Sequence, residues 1–224
     1  MRLPATPPVT LMRELVSGLP RRQLAGRSIV AVDGADGAGK TVFADTLAAV
    51  MNDVGMVAVR ASIDGFHRPR AERYARGRRS PEGFYLDSYD YATFRRVLVD
   101  PFREGGLTGA TTGFQVAAFD PERDIPVEAE WTTVPQDAVL VVDGIFLHRP
   151  ELIDIWDWSF WLEAPAEVRF ARMAQRDGTD PDPAAASNER YRVGQEMYVE
   201  RVNPVALAAV RIDNSDPANP KVIR

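Results

Sequence analysis

The chain has 224 residues, 45% of them apolar, which suits a single domain with a sizeable core. A formal net charge of −5 argues against wholesale electrostatic binding of nucleic acid, although a local basic patch stays open. The absence of cysteine excludes disulfides, thiol catalysis and thiolate metal sites.

The first twenty residues hold Pro4, Pro7 and Pro8 and lack the apolar core of a signal peptide. No apolar run approaches the ~20 residues of a membrane helix, so a soluble cytoplasmic protein without membrane contact is expected. Leu11, Leu15 and Leu19 predict an amphipathic helix over Thr10–Leu19. Ser28–Val32, ending in Asp33-Gly34, reads as a buried strand, and Thr41–Val54 as a helix with Phe43, Leu47, Val50, Met51 and Val54 on one face. Met56–Ala61, Val139–Asp143, Trp158–Leu162 and Ala208–Ile212 read as four more strands, and Ala166–Arg176 as a helix. Continuous apolar strands alternating with helices predict an α/β fold: a five-stranded, mostly parallel sheet covered on both faces.

Two stretches interrupt this rhythm. Residues 100–136 are rich in Gly, Thr and Pro with β-like runs such as Phe114–Phe119, and read as a small β-containing insertion. Asp177–Ser187, with Gly178, Pro181 and Pro183, reads as a mobile loop. The expected layout is one domain over 1–224, with its core at 28–99 and 137–214 and a lid at about 169–190.

Gly34-Ala35-Asp36-Gly37-Ala38-Gly39-Lys40-Thr41 satisfies the P-loop pattern G-x-x-x-x-G-K-[ST]. Its glycines let backbone N–H groups turn inward on phosphate oxygens, and the helix entered through Val42 presents its positive end. Lys40 would reach the β- and γ-phosphates and Thr41 would bind Mg²⁺. Only two of the 27 basic residues are lysines, Lys40 and Lys221, so an arginine-biased chain keeps its one internal lysine at the required place. A second acid for the metal is expected at the end of another strand, and Asp143 is the candidate.

Three kinds of protein carry such a loop: a nucleotide switch, a nucleic-acid motor and a small-molecule kinase. The Asn-Lys-x-Asp of a guanine-specific switch is absent, and the chain is short for a motor. Phosphoryl transfer to a small acceptor remains, and it needs a carboxylate beside the acceptor hydroxyl. Asp64 follows the strand Met56–Ala61, expected to lie beside the P-loop strand, and opens a run of bases from Arg68 to Arg79 that reads mainly as a solvated loop.

Asp64-Gly65-Phe66-His67-Arg68 resembles the Asp-x-Phe-Tyr/His-Arg signature of the uridine kinase family, which is grouped with phosphoribulokinase and bacterial pantothenate kinase. The resemblance continues in order through Tyr85–Asp90, Asp143-Gly144-Ile145, Arg169–Asp177, Tyr198–Pro204 and Arg211–Asn214. It implies a P-loop NTPase fold with a lid, using ATP and Mg²⁺. It also implies Asp64 as general base, with His67 and Asp87 at the acceptor, Asp143 at the metal, and Arg172 and Arg176 on the transferring phosphoryl group. Arg169 shares their helical face.

The family's base-reading Tyr-Asp and following His are not matched. Ala118–Arg123 is the nearest segment, where Phe119 can stack on a ring and Arg123 can donate to a carbonyl. The family often has Ser where Asp36 stands, and an acid there is tolerable only if it turns away from phosphate. The expected function is an ATP-dependent kinase of a small hydroxylated molecule, a nucleoside such as uridine being favoured. The alternatives are another acceptor (pantothenate, a sugar or a sugar phosphate) or a non-catalytic nucleotide-binding regulator. No nucleic-acid partner is expected, and homo-oligomerisation is left open.

Overall fold

The computed structural model describes residues 2–19, 26–108 and 112–223. Helix α1 (Pro7–Gly18) is followed by β1 (Ser28–Gly34), α2 (Lys40–Asp53) and β2 (Ala58–Ser62). A 3-10 turn (Ile63–Phe66) leads to three short helices, α3 (Arg70–Arg73), α4 (Pro81–Asp87) and α5 (Tyr91–Phe94). A π-helical turn (Arg95–Val99) joins α5 to α6 (Asp100–Thr108). Beyond the hairpin β3 (Phe119–Asp120) and β4 (Ile125–Pro126) come β5 (Val139–Gly144), β6 (Trp158–Glu163) and α7 (Ala166–Asp177). A 3-10 turn (Ala186–Asn188), α8 (Glu189–Val202), α9 (Pro204–Leu207), β7 (Val210–Asp213) and β8 (Lys221–Ile223) complete the chain.

The central sheet runs β2-β5-β1-β6-β7-β8, parallel except for β8, which pairs antiparallel with β7. Six strands therefore replace the expected five. The missed strand, Lys221–Ile223, has three residues and little burial, too short to show a period. A second correction concerns β2: it pairs with β5, not with the P-loop strand β1. Strand β5 sits between them and brings Asp143 opposite both Val32 of β1 and Ser62 of β2. The carboxyl ends of β1, β5 and β2 thus deliver the P-loop, Asp143 and Asp64 to one edge of the sheet, where open α/β sheets bind ligands.

Both faces are covered, which is why all of β1 and β5 is buried and apolar up to the terminal acid. On one face, Val30, Val32, Val139, Val141, Phe160 and Leu162 pack with Met12 of α1 and Phe43, Leu47 and Met51 of α2. On the other, Ile29, Ala31, Leu140 and Val142 meet the aromatic layer of Phe66, Phe94, Phe102, Phe146 and Tyr198. Each Val, Leu, Ile, Phe or Met among them contributes roughly 1.5–3 kcal/mol when fully buried.

The expected insertion begins as helix α6 and continues as an irregular lobe; its residues 109–111 lie outside the described residues. The run Phe114–Phe119 is not a strand. Gln115 N–H donates to Val97 and Ala118 N–H to Gly65, so its backbone bonds go to the π turn and the Asp64 turn. Only the bridge Phe114–Thr132 and the pair Phe119–Pro126 are sheet-like. Asp177–Ser187 is irregular as expected, and the Asn188 amide ties it by donating to the carbonyls of Asp180 and Asp182.

Candidate active site

The phosphate cradle follows from what α2 lacks. Its N-cap is Gly39 at φ +88°, no side chain caps it, and its first turn holds no acid. The N–H groups that open the helix are therefore left for an external anion. Gly37, at φ +74°, is required twice over: the left-handed backbone favours glycine, and a Cβ there would run into the Arg169 carbonyl. Lys40 Nζ donates to the Ala35 carbonyl across the loop at 2.9 Å. A cleft of about 450 Å³ opens here between Gly37, Lys40, Thr41, Arg172 and Arg176. A larger one of about 620 Å³, between β6, α7 and α8, holds only Ala35 of the loop, so the chemistry belongs to the smaller.

Thr41 and Asp143 meet as a pair of hard oxygen donors: Thr41 Oγ1 donates to Asp143 Oδ2 at 2.6 Å. The other carboxylate oxygen accepts from Arg60 Nη2 at 2.8 Å, and Arg60 also binds Asp45 and the carbonyls of Ala61 and Val141. Among the described residues no group of three or more His, Cys, Asp or Glu could enclose a metal. The pair nevertheless fits Mg²⁺, which takes one or two protein oxygens and completes its shell with water and substrate phosphates.

Asp64 stands in the 3-10 turn after β2, 61% exposed, with its N–H on Ser62 Oγ. Its Oδ1 accepts from the buried hydroxyl of Tyr89 at 2.9 Å and lies 3.5 Å from His67 Nε2. His67 stacks on Tyr89, with ring centroids 4.5 Å apart, and its Nδ1 must donate to the Ser88 carbonyl at 2.9 Å. Burial holds the imidazole below its usual pKa against the opposing pull of Asp64. It is neutral near pH 7, its Nε2 lone pair facing the acid. Burial, and then Asp64, pushes the Tyr89 phenol well above its ordinary value, so Tyr89 remains a donor. The carboxylate is oriented yet open to solvent, which is what proton abstraction from a bound hydroxyl needs.

No family model matches the sequence. Solved structures do match it. A possible uridine kinase from Bacillus stearothermophilus aligns at TM-score 0.65 and 20% identity, covering 91% of this chain and 96% of that one. A candidate fructose transport system kinase from Silicibacter aligns at TM-score 0.65 and 27% identity, covering 87% and 94%. D-glycerate 3-kinase from Cryptococcus neoformans aligns at TM-score 0.56 and 11% identity, covering 95% and 99%. The chain has the fold of the uridine kinase-like P-loop kinases.

Within this kinase fold the remaining candidate residues divide. Arg172 donates to the carbonyls of Gly37, Asn214 and Ser215, and Arg169 to those of Asp36 and Ala164. As the molecule stands, both brace the P-loop. Arg176 pairs with Asp177, which raises its pKa, with smaller contributions from Asp36 and Asp64. Of the three α7 arginines it is the one whose charge is felt by the Asp64 carboxylate. The Asp36 carboxylate accepts from the Gln195 amide of α8 at 3.2 Å.

On the acceptor side, the Asp87 carboxylate is held by Arg76 at 2.8 Å. Phe119 is buried, its strand packed on the Asp64 turn, while Arg123 is exposed and only its backbone N–H is engaged, by Asp120. The Arg68–Arg79 run is mainly exposed, as its composition implies, yet several of its arginines are tied down. Arg70 and Arg73 bind the hairpin at Glu122 and Asp124, and Arg76 binds Glu82 and Asp87.

Sequence reasoning missed Tyr89, Arg60 and Gln195. Tyr89 lies two residues past Asp87 in the family-like segment Tyr85–Asp90, the one signal that could have raised it. Arg60 had none, because its role depends on β2 pairing with β5. Beneath the P-loop, Asp33 Oδ2 accepts from Tyr198 Oη and His148 Nδ1 at 2.5 and 2.7 Å, and His148 Nε2 meets Ser159 Oγ at 2.9 Å. Asp33-His148-Ser159 has the order of a hydrolase triad. However, the Asp33 and His148 side chains are 0% exposed, so the network supports the loop and meets no substrate.

Proposed function

We propose that the protein is an ATP- and Mg²⁺-dependent kinase of a small hydroxylated molecule. The observation that carries this reading is the arrangement of three groups on one sheet edge: an uncapped P-loop helix, the Thr41–Asp143 pair, and the exposed Asp64 oriented by Tyr89. Asp64 accepts the proton of the acceptor hydroxyl as its oxygen bonds to the γ-phosphorus of ATP. The bond to the β–γ bridging oxygen breaks, and ADP leaves. Lys40, the α2 N-terminus and Arg176 take up the charge spread over the transferring group. Arg172 holds the loop that positions it. Thr41 and Asp143 would hold the metal, which when bound neutralises β- and γ-phosphate oxygens.

A nucleoside is the acceptor favoured by the sequence resemblance. A sugar-like acceptor without a base is favoured by the residues near Asp64: Asp87 is engaged by Arg76, and Ala118–Arg123 carries neither the Tyr nor the His of the base-reading pattern.

The test follows ADP release from Mg-ATP with a panel of nucleosides, sugars, sugar phosphates, hydroxy acids and pantothenate. Stimulation by one acceptor class is expected, and ATP turnover indifferent to every acceptor would favour a nucleotide-binding regulator. Replacing the base, Asp64→Asn, is expected to lower turnover by roughly 10²–10⁴ with Mg-ATP binding retained. Near-normal turnover would remove Asp64 from the mechanism.

A further inference from the structure

Beside Asp64 and His67 lies a second cluster that the phosphoryl-transfer chemistry leaves unused. Arg73 of α3 and Arg190 of α8 belong to different elements, yet both set their guanidinium groups over the ring of Tyr74, at 5.5 and 5.4 Å. Both guanidinium charges also disfavour protonation of His67, whose Nε2 lies 3.5 Å from Asp64 Oδ1.

These arginines are under-supplied with acceptors. The Arg73 side chain is 12% exposed, and its one ion pair is a long 3.4 Å contact to Asp124 Oδ1, an oxygen already accepting from Arg70 N–H at 2.8 Å. Arg190 gives one Nη1 hydrogen bond to the Arg78 carbonyl. The Nε–H groups of both are buried without any hydrogen-bond partner. A buried donor left unmade is unfavourable, and an anion that arrives there removes that penalty. A neutral nucleoside or free sugar offers no group that needs two guanidiniums. A phosphate or carboxylate does, because their forked N–H donors match its oxygens.

We propose that the phosphate acceptor is itself anionic: a hydroxylated compound whose phosphate or carboxylate docks between Arg73 and Arg190 while a hydroxyl reaches Asp64. This rests on the kinase reading for the hydroxyl and on the arginine pair for the anion, so the two are tested separately.

With the nucleotide site filled by the Mg²⁺ complex of AMP-PNP, inorganic phosphate and acetate are titrated into the wild type, Arg73→Gln and Arg190→Gln. Each variant's affinity for the AMP-PNP complex reports its folding. The wild type is expected to bind at least one anion, and each variant to bind it roughly tenfold or more weakly. No anion binding by the wild type, or equal binding by folded variants, would overturn the proposal.

Turnover is then compared across matched sets: glycerol, glycerate and glycerol 3-phosphate, and ribose, ribonate and ribose 5-phosphate. Anionic members are expected to stimulate ADP release, with the variants raising KM far more than they lower kcat. The preferred member distinguishes carboxylate from phosphate. Turnover of neutral members equal to that of anionic ones would also overturn the proposal. Anion binding without acceptor-stimulated ADP release would leave the arginine site standing and remove the kinase reading.

Discussion

Asp64 is exposed, but the groups that aim it are not, and this division shapes what substitutions there do. The Tyr89 hydroxyl is buried and donates to Oδ1, so Tyr89→Phe removes one fixed donor without opening a cavity. A hydrogen bond to a charged group is worth about 1.5–3 kcal/mol. If that orientation is used in turnover, kcat should fall by roughly tenfold or more with Mg-ATP affinity unchanged; an unchanged kcat would make Tyr89 a packing residue only. His67 gives a pH-dependent counterpart. Burial lowers its pKa in the folded state, so between its usual value near 6.5 and the lowered one the unfolded chain binds more protons. Stability is then intact above the usual value and declines as pH falls through that window. His67→Gln should flatten this part of the stability–pH curve, measured by denaturant unfolding of both proteins. Parallel curves would show that His67 does not titrate there.

At the level of elements, the P-loop, its strand and its helix were legible because one short pattern carries both conformation and chemistry. Gly37 makes this testable. Its left-handed φ and its approach to the Arg169 carbonyl leave no room for a methyl group. Gly37→Ala should therefore weaken Mg-ATP binding at least tenfold and cost about 1–3 kcal/mol of stability, read by calorimetric titration and thermal melting. Near wild-type values in both would mean that the loop relaxes freely. Asp143 and Asp64 were also legible, each as an acid ending an apolar run. Strand order was not: β2 reads the same whether β1 or β5 is its neighbour, and only long-range pairing decides between them. Arg60 was invisible for the same reason, since its partners Asp45 and Asp143 lie on elements that the sequence does not bring together. The insertion was legible as irregular, but not as the segment that caps the Asp64 turn through the bond from Ala118 to Gly65.

Across the whole molecule, one buried polar network ties the P-loop strand β1 to β6 and α8. Asp33 ends β1 and accepts the Gly34 N–H at the start of the P-loop. It also binds His148 beyond β5 and Tyr198 on α8, and His148 reaches Ser159 on β6. Helix α8 in turn carries Gln195, bonded to Asp36 of the P-loop, and Arg190 on the acceptor side. A buried network of this kind favours a single arrangement, and removing its central acceptor strands several buried donors at once. Asp33→Ala would take their acceptor from the Gly34 N–H, the His148 Nδ1–H and the Tyr198 hydroxyl proton, at about 1–3 kcal/mol each, while the His148 backbone N–H keeps Tyr198 Oη; Tyr198→Phe removes one donor and leaves Asp33 three others. The expected outcome in urea unfolding is a loss of at least about 3 kcal/mol for Asp33→Ala and about 1 kcal/mol for Tyr198→Phe. The double variant should lose less than the sum, because Asp33→Ala already breaks the bond that Tyr198→Phe removes. If the network also transmits between the nucleotide and acceptor sites, Tyr198→Phe should raise KM for both ATP and the acceptor although it touches neither. A stability loss with both KM values unchanged would confine the network to holding the fold.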